Sequence, residues 1–584
     1  MAEKFDCIVI GGGPAGSTVA SFLHLMGRRV LLLERDRFPR HHIGESMIAA
    51  TIDILAEIGL EEKLAAAGFP VKSGGCFIWG DNKLPWCIRF EEVPGRPTSY
   101  QVKRDVFDAL LLDHCAELGV DVRQEHRVRE MINNDQGQVL GVMFQRPDGT
   151  TSEAHAPITI DASGLSAILA NRISRRIPAE NLRNMAIYGY WKGEHIAPVA
   201  LGGEIRPADR YNIIIKWLGP GWLWFIPLGI NNLISVGYVA PRASIPAGGP
   251  EALRQFLLER LNASPELTKL LSNCEFTGEL HAIRDWSYRS EHMAGPGYFA
   301  VGDAACFVDP ILSSGVFLAV LYAKLCACAV NTCLDEPQMT PLLQEWYEAL
   351  YDDTYNDYLQ MAHFWYHGDR TVSRWMREAR LATAEDTQYS ATDRSSFLGL
   401  ATGNVHAHPG YVHRETLNAL GFPAKLRKDP LLGQLRAMGN ALFAHSPDMK
   451  NEDSAAAIRL SMQANTMRKT KVARLMFQRP PISDKLIETE LLSDPDQVLE
   501  INPGADVSVE VIDDHVAVTI VAGGKRRVLD AAEVGILDHF STSASPVELA
   551  RKKIIPAKRV YELCAELLGA GVLVPVMTKK SNHA

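Results

Sequence analysis

The residue types that could do chemistry in this chain are three early glycines, a glutamate that follows them, a lysine in a glycine-rich segment and two indoles far downstream. Gly11, Gly13 and Gly16 form a G-x-G-x-x-G directly after the β-prone run Phe5–Ile10 and ahead of a helix expected over Ser17–Met26. In that context glycines permit a tight turn and a close backbone approach. A pyrophosphate can then rest on free amides around Ala15, at the positive end of a helix dipole. A second β-prone run, Arg29–Leu33, ends in Glu34, roughly 20 residues beyond the glycines, where a carboxylate accepts ribose hydroxyls and repels a 2'-phosphate.

Further residues decide which dinucleotide the cradle serves. Arg104 precedes the helical run Asp105–Leu118, Asp161-Ala-Ser-Gly164 follows the run Ile158–Ile160, and Phe299-Ala-Val-Gly302-Asp303 places a carboxylate after another buried strand. Each alone is more often a turn or a cap than a ligand. In this order they resemble the FAD-dependent monooxygenase superfamily, over a stretch that ends near Leu334. The resemblance implies an α/β fold with a Rossmann-like FAD-binding domain. It also implies Arg104 near the flavin phosphates and Asp303 on a ribityl hydroxyl.

Within that superfamily the chain resembles the flavin-dependent halogenases. The segments are Phe38-Pro39-Arg40 with Ile43-Gly44-Glu45-Ser46, then Val71-Lys72-Ser73-Gly74-Gly75, then Gly221-Trp222-Leu223-Trp224-Phe225-Ile226-Pro227, then Asp309-Pro310-Ile311-Leu312-Ser313-Ser314-Gly315. The resemblance implies that reduced flavin and oxygen generate an oxidant that turns chloride or bromide into hypohalous acid. Trp222, Trp224, Ile226 and Pro227 then keep the organic substrate away from the flavin, and Arg40, Ser46, Pro310 and Gly315 touch it. Backbone amides at Ser314 and Gly315, opening the apolar helix Val316–Val330, hold the halide. Lys72 passes the halogen on, as a hydrogen-bond donor to hypohalous acid or as a haloamine. A free lysine titrates near 10.4, so the second role requires burial or a cationic neighbour.

Plainer readings exist for each segment. The tryptophans are two residues apart and share a strand face, which an aromatic core stripe also explains; Lys72 fits a surface turn; Ser313 or Ser314 fits an N-cap. The tryptophan halogenases carry a glutamate where this chain has Leu312, and no tryptophan-clamping insert is evident. The chain therefore looks like the branch acting on phenols, pyrroles or carrier-protein-tethered acyl groups in natural-product biosynthesis. Glu45 can supply the missing carboxylate, or it contacts flavin. No second dinucleotide fingerprint is visible, which implies a separate NAD(P)H-dependent flavin reductase. The alternative on the same fold is an FAD monooxygenase, or a polyprenyl-type flavin reductase, without halide chemistry.

The elements that must position these residues occupy Met1–Leu334, with a β-rich substrate insertion around Tyr188–Val239. Helical sequence follows over 335–492. Its segment Pro337–Gly368 is dense in Tyr and Trp, to pack a helix onto its neighbour or to wall a pocket. From 503 to 584 a hairpin, three helices and a last strand, Val572–Val576, resemble a winged helix. Its clustered Arg551, Lys552, Lys553, Lys558 and Arg559 suit a solvated face, DNA or an acidic carrier protein, but a net charge of −9 over 584 residues argues against a dedicated nucleic-acid binder. A flavin-sensing regulator is the reading in which that unit binds DNA. No signal peptide is expected, nor a run of about 20 apolar residues that would span a membrane, since Tyr322 and Lys324 interrupt the nearest one. Ten cysteines without metal-ligand spacing read as reduced thiols in a cytoplasm, and no metal is expected.

Overall fold

The computed structural model describes residues 3–79, 84–93, 95–179, 182–284, 287–335, 337, 340–366, 376 and 393–404, with short strands between 499 and 575. The chain divides into two compact units, one made of residues 1–411 with 443–449 and the other of 412–442 with 450–584.

The first unit is built on a parallel sheet. Its strands run in the order Tyr298–Ala300, Ile158–Asp161, Cys7–Ile10, Val30–Leu33 and Asp121–Arg123, with Ala294–Gly295 antiparallel at one edge. Strands covered on both faces read as continuous apolar runs, as Cys7–Ile10 and Val30–Leu33 do, each buried at every position. Chain order reverses at Cys7–Ile10, and its carboxyl end is where such sheets bind ligands. Helix α1 (Pro14–Leu25) begins there rather than at Ser17, and α2 (Arg104–Leu118) takes in Arg104 itself. Helices α3 (Gly315–Asp335) and α4 (Thr340–Trp365) complete the layer, α3 packing on α1 and α4 on α3.

Helix α3 differs from the sequence expectation. Its length and composition suffice to cross a membrane, with a mean hydropathy of 1.8, but that stretch is wholly buried in the protein. Lys324 is held there by Glu57 at 2.5 Å. The tyrosines of α4 pack rather than line a pocket: Tyr347 donates to Ala300 O (2.8 Å) and the Tyr351 ring stacks on Tyr322 at 3.6 Å.

The second sheet is larger than the expected insertion. It comprises β1 (Gly74–Ile78), β2 (Trp86–Arg89), β3 (Asn184–Gly193), β4 (Ile213–Leu218), β5 (Gly221–Pro227), β6 (Leu233–Pro241) and β7 (Cys274–Arg284), in the order β7-β3-β6-β5-β4-β1-β2. Strands from both sides of 188–239 join because β1 pairs in parallel with β4 and β7 pairs with β3. One face packs on the helices Pro250–Asn262 and Pro265–Leu270, burying Leu223, Phe225, Leu257 and Leu267. The other face meets the parallel-sheet layer across a cavity.

Not all thiols are reduced. Cys76 and Cys87 stand opposite one another on antiparallel β1 and β2, with Cα atoms 4.2 Å apart, and form a disulfide. Their separation of 11 residues hid the pairing, because it is the hairpin register that brings them together. Thiol titration after denaturation is expected to find two more thiols with reductant than without; equal counts would mean that the bond does not form.

In the second unit, the expected hairpin is present as Asp506–Ile512 with His515–Ala522, extended by Lys525–Val528, and Leu573–Pro575 pairs with Leu499–Ile501. The helices and basic cluster expected between them lie outside the described residues, as does most of 335–492 beyond Trp365.

Candidate functional site

The glycine-rich turn is built as its chemistry requires. Gly11 has φ +103°, and a Cβ at Gly16 would lie 1.8 Å from Gly11 O, so both positions are closed to side chains by the fold itself. Gly13 differs. Its φ is −69°, and the nearest atom to an added Cβ is an Arg40 guanidinium nitrogen at 3.4 Å. The Ser17 amide donates to Gly13 O at 2.9 Å as the first intrahelical bond, which leaves the Ala15 and Gly16 amides to something outside the helix. Glu34 closes the cradle: Oε2 accepts from Gly12 N (2.6 Å) and Oε1 from Asp36 N (2.7 Å). Each oxygen retains a second acceptor direction. Arg40 lies beside Gly13, its guanidinium over the Phe38 ring at 4.6 Å.

These residues open into a cavity of about 410 Å³. Of the residues singled out in the sequence, its lining takes in Gly11, Gly13, Ala15, Glu34, Arg40, Glu45, Ser46, Arg104, Trp222, Trp224, Ile226, Asp303, Pro310 and Gly315. Gly16, Lys72, Pro227 and Ser314 stand outside the lining. Asp161 is a structural cap: Oδ2 accepts from Leu169 N (2.7 Å) and Ala170 N (3.0 Å), and Oδ1 from Ser163. Asp303 is half-buried on the cavity lining, and desolvation raises its carboxyl to about 6 against the opposing pull of Arg104 and Arg176.

The turn 43–46 is clamped from outside. Arg104 forks onto Asp108 (2.7 and 2.9 Å) and turns its remaining nitrogen onto the carbonyls of Ile43 and Gly44, while Val102 N donates to Glu45 O at 2.7 Å. Arg104 therefore shapes the cavity floor as well as lining it. Asp108 is the partner that sequence reasoning missed; its signal is the i, i+4 spacing on α2. The clamped turn aims the Glu45 carboxyl at the cavity. Burial raises it to about 7, opposed by the nearby hydroxyls of Ser235 and Tyr190 and by the charge of Arg104. The Tyr190 hydroxyl donates to Oε1 at 2.9 Å, and Oε2 is buried without a partner. The Ser46 hydroxyl is likewise buried and unpartnered.

Trp222 and Trp224 stand on one face of β5, ring centroids 6.0 Å apart, nearly inaccessible to solvent and facing the cavity. The Trp224 indole donates to Ser235 Oγ (3.1 Å). The Trp222 indole donates to the Tyr366 hydroxyl (3.0 Å), which donates to Asp309 Oδ2 (3.0 Å). Asp309 Oδ1 accepts from Ile311 N at 3.0 Å, capping the turn Pro310–Leu312 just before α3. One hydrogen-bond chain thus ties the indole wall to the loop at the α3 N-terminus. Tyr366 belongs to the aromatic run read from the sequence as packing or walling a pocket; that it reaches Trp222 was not legible, because the contact is made across 144 positions.

Gly237 on β6 holds the wall flat, since a Cβ there would lie 2.3 Å from the Trp224 ring and 2.6 Å from Tyr188 Cβ. It pairs with both Trp224 and Tyr188 on the neighbouring strands, so its backbone has nowhere to retreat. Gly237→Ala is expected to displace the indole and cost about 1–3 kcal/mol, read by urea denaturation and near-UV circular dichroism. Wild-type values would mean that the wall has slack.

Lys72 lies in the short strand Val71–Lys72, opposite Ser99. It is buried, and its ammonium donates to Met47 O at 2.9 Å and faces the Phe90 ring at 5.4 Å. Met47 lies two residues beyond Glu45, so the lysine is held on the same segment whose carboxyl lines the cavity. Desolvation lowers Lys72 to about 7.

At the far side of the cavity, Ser313 adopts a left-handed conformation (φ +56°) and α3 begins at Gly315, with Leu318 N bonding Ser314 O at 2.8 Å. Gly315, Val316 and Ala319 line the cavity, so the first turn of a 21-residue helix presents amides to it.

Residues 4–195 match the FAD binding domain family. The chain is 33% identical over 352 residues to a flavin-dependent halogenase of Armillaria mellea, across 56% of this chain and 65% of that protein. It is 32% identical over 354 residues to a tryptophan 2-halogenase of Chondromyces crocatus, across 60% of this chain and 66% of that protein. In both cases the match spans slightly under two thirds of the relative's length. Among solved structures, the myxobacterial chondrochloren halogenase superposes with a TM-score of 0.58 at 32% identity, covering 79% of this chain and 97% of the other.

Proposed function

The chain belongs to the flavin-dependent halogenases, and from that premise we propose that it uses reduced FAD, oxygen and chloride or bromide to halogenate an electron-rich aromatic or carrier-tethered substrate. One observation carries this reading: a single cavity is lined at once by the Gly13–Glu34 cradle, the indole wall and the first turn of α3. When bound in reduced form, FAD supplies with oxygen the oxidant that converts halide to hypohalous acid.

The remaining work falls to the chain. The cradle fits the cofactor because Gly13 leaves open the approach that a side chain would fill, while Glu34 and Arg40 offer an acceptor and a cation. The Gly315 amide on the cavity lining, with that of Ser314 just ahead of α3, holds the halide ion. Trp222, Trp224 and Ile226 exclude an organic substrate from the same cavity, with Pro227 ending their strand. Lys72, desolvated and therefore partly neutral near pH 7, attacks the halogen of hypohalous acid to give a haloamine and water. Glu45 serves as an acid–base group in place of the glutamate that Leu312 displaces. A separate flavin reductase supplies the reduced cofactor.

The test is product formation with enzymatically reduced FAD in chloride or bromide, read by the halogen isotope pattern in the mass spectrum. Halide-dependent products carrying that pattern are expected. Oxygenated products formed equally well without halide would make the protein a hydroxylase.

A further inference from the structure

The indole wall and the clamped turn 43–46 form the part of the cavity lining where Glu45 is buried. Among the described residues, a hydrogen-bonded path leads from it to an exposed side chain at the cavity rim. His41 Nε2 lies 3.0 Å from the Tyr190 hydroxyl, and that hydroxyl donates to Glu45 Oε1 at 2.9 Å. His41 is exposed where the cavity lining meets solvent, Tyr190 is buried on β3, and Glu45 is buried on the lining with Oε2 unpartnered. We propose that His41, Tyr190 and Glu45 form a proton relay between solvent and the flavin cavity, with Glu45 delivering and receiving protons at its inner end.

The donors are oriented for such a relay. Tyr190 has one proton, which it commits to Glu45; its oxygen then accepts from Nε2–H of His41. In the inward step the Tyr190 proton passes to Glu45 Oε1 and the His41 Nε2 proton passes to the Tyr190 oxygen. The net change is imidazolium to imidazole and carboxylate to carboxylic acid, with the phenol unchanged. The surroundings favour that direction. Partial desolvation and the stacked His281 ring, 4.3 Å away, lower His41 from its ordinary value of 6.5, with Lys103 in the same sense and Asp105 and Glu279 opposing. Burial raises Glu45 to about 7, with Asp105 in the same sense and Arg104, Ser235 and Tyr190 opposing. Tyr190 is pushed far above its usual range by burial, Glu45, Tyr188 and Glu279, so it hands protons on without ionising. The outer end is held in place by the His41–His281–Tyr188 ring stack.

The relay rests on the reading of the cavity as a flavin site, and its test separates the two. The FAD-bound protein is mixed rapidly into D2O at about pH 6, where a carboxyl raised to about 7 is protonated. Infrared absorption follows the deuteration of the Glu45 carboxyl, whose band is identified by its loss in Glu45→Gln. Tyr190→Phe, which keeps the ring, and His41→Gln, which keeps a surface donor that does not titrate, are each expected to slow the exchange by about tenfold or more. FAD affinity should be unchanged in Tyr190→Phe, which alters no residue of the cavity lining. Added imidazole should restore the rate in His41→Ala. In turnover the same variants should lower kcat without raising the KM for halide. Wild-type exchange rates in Tyr190→Phe would overturn the relay while leaving the halogenase reading intact. Failure of the wild-type protein to bind FAD would overturn the reading of the cavity instead.

Discussion

Lys72→Ala is expected to abolish halogenation, by at least about 10³-fold, while FAD still binds and its reduced form is still oxidised. The structure gives the reason for that split. Lys72 does not line the cavity that holds the cradle, and its ammonium is held on Met47 O. Its loss therefore removes the amine without disturbing the flavin site. A Lys72→Met variant, similar in length and uncharged, controls for packing around Phe90. Halogenation at the wild-type rate in either variant would remove Lys72 from the mechanism. The pH dependence separates its two chemical roles. A neutral amine is required for haloamine formation, so the rate should rise as pH passes upward through about 7; a hydrogen-bond-donor role predicts a fall there. Glu45, also raised to about 7, loses its proton over the same range. The wild-type profile is thus a narrow bell whose falling limb should vanish in Glu45→Gln. Stability responds to Lys72 as well. Unfolded, it titrates near 10.4; folded, near 7. Between those values the unfolded chain binds more protons, so its contribution to stability rises with pH across that window.

The parts of the site that were legible in the sequence are those held by local geometry. The glycine turn, Glu34 and the strand–helix register follow from short-range sterics, and the Trp222/Trp224 face follows from strand alternation. What stayed hidden is made by pairing between distant strands. The Cys76–Cys87 bond needs the β1–β2 register, and Tyr190 reaches Glu45 across 145 positions. The larger sheet went unseen because its outer strand, β7, reads as a polar edge with no buried residue, and polar edge strands carry a weak signal. Asp161 turned out to cap a turn, the commoner fate of an aspartate after a strand. Leu312 is buried at the turn before α3, so the departure from the tryptophan halogenases is an apolar residue inside the fold.

Gly13→Ala and Gly16→Ala should separate the two reasons for which the turn is glycine-rich. At Gly16 a methyl group would sit 1.8 Å from Gly11 O, well inside any van der Waals contact, and Gly11 is itself pinned by its amide to Leu33 O at 2.8 Å. The clash can be relieved only by moving α1 off the parallel sheet. Gly16→Ala should therefore lower the unfolding temperature of the flavin-free protein as well as abolish FAD binding, at a cost of several kcal/mol, about the range of core overpacking or more. At Gly13 the backbone angles suit any residue, and an added methyl meets only the end of the flexible Arg40 side chain at 3.4 Å. The flavin-free protein should keep its stability within about 0.5 kcal/mol. A ligand whose phosphates need contact with the helix amides cannot keep it: the methyl group occupies the approach, and FAD affinity should fall by on the order of 100-fold, equivalent to about 2.7 kcal/mol. Calorimetric unfolding without flavin and fluorescence titration with FAD measure the two effects independently. Equal FAD affinity in Gly13→Ala and wild type would mean that the phosphates lie elsewhere, and would remove the cradle from the proposed site even if the protein halogenates.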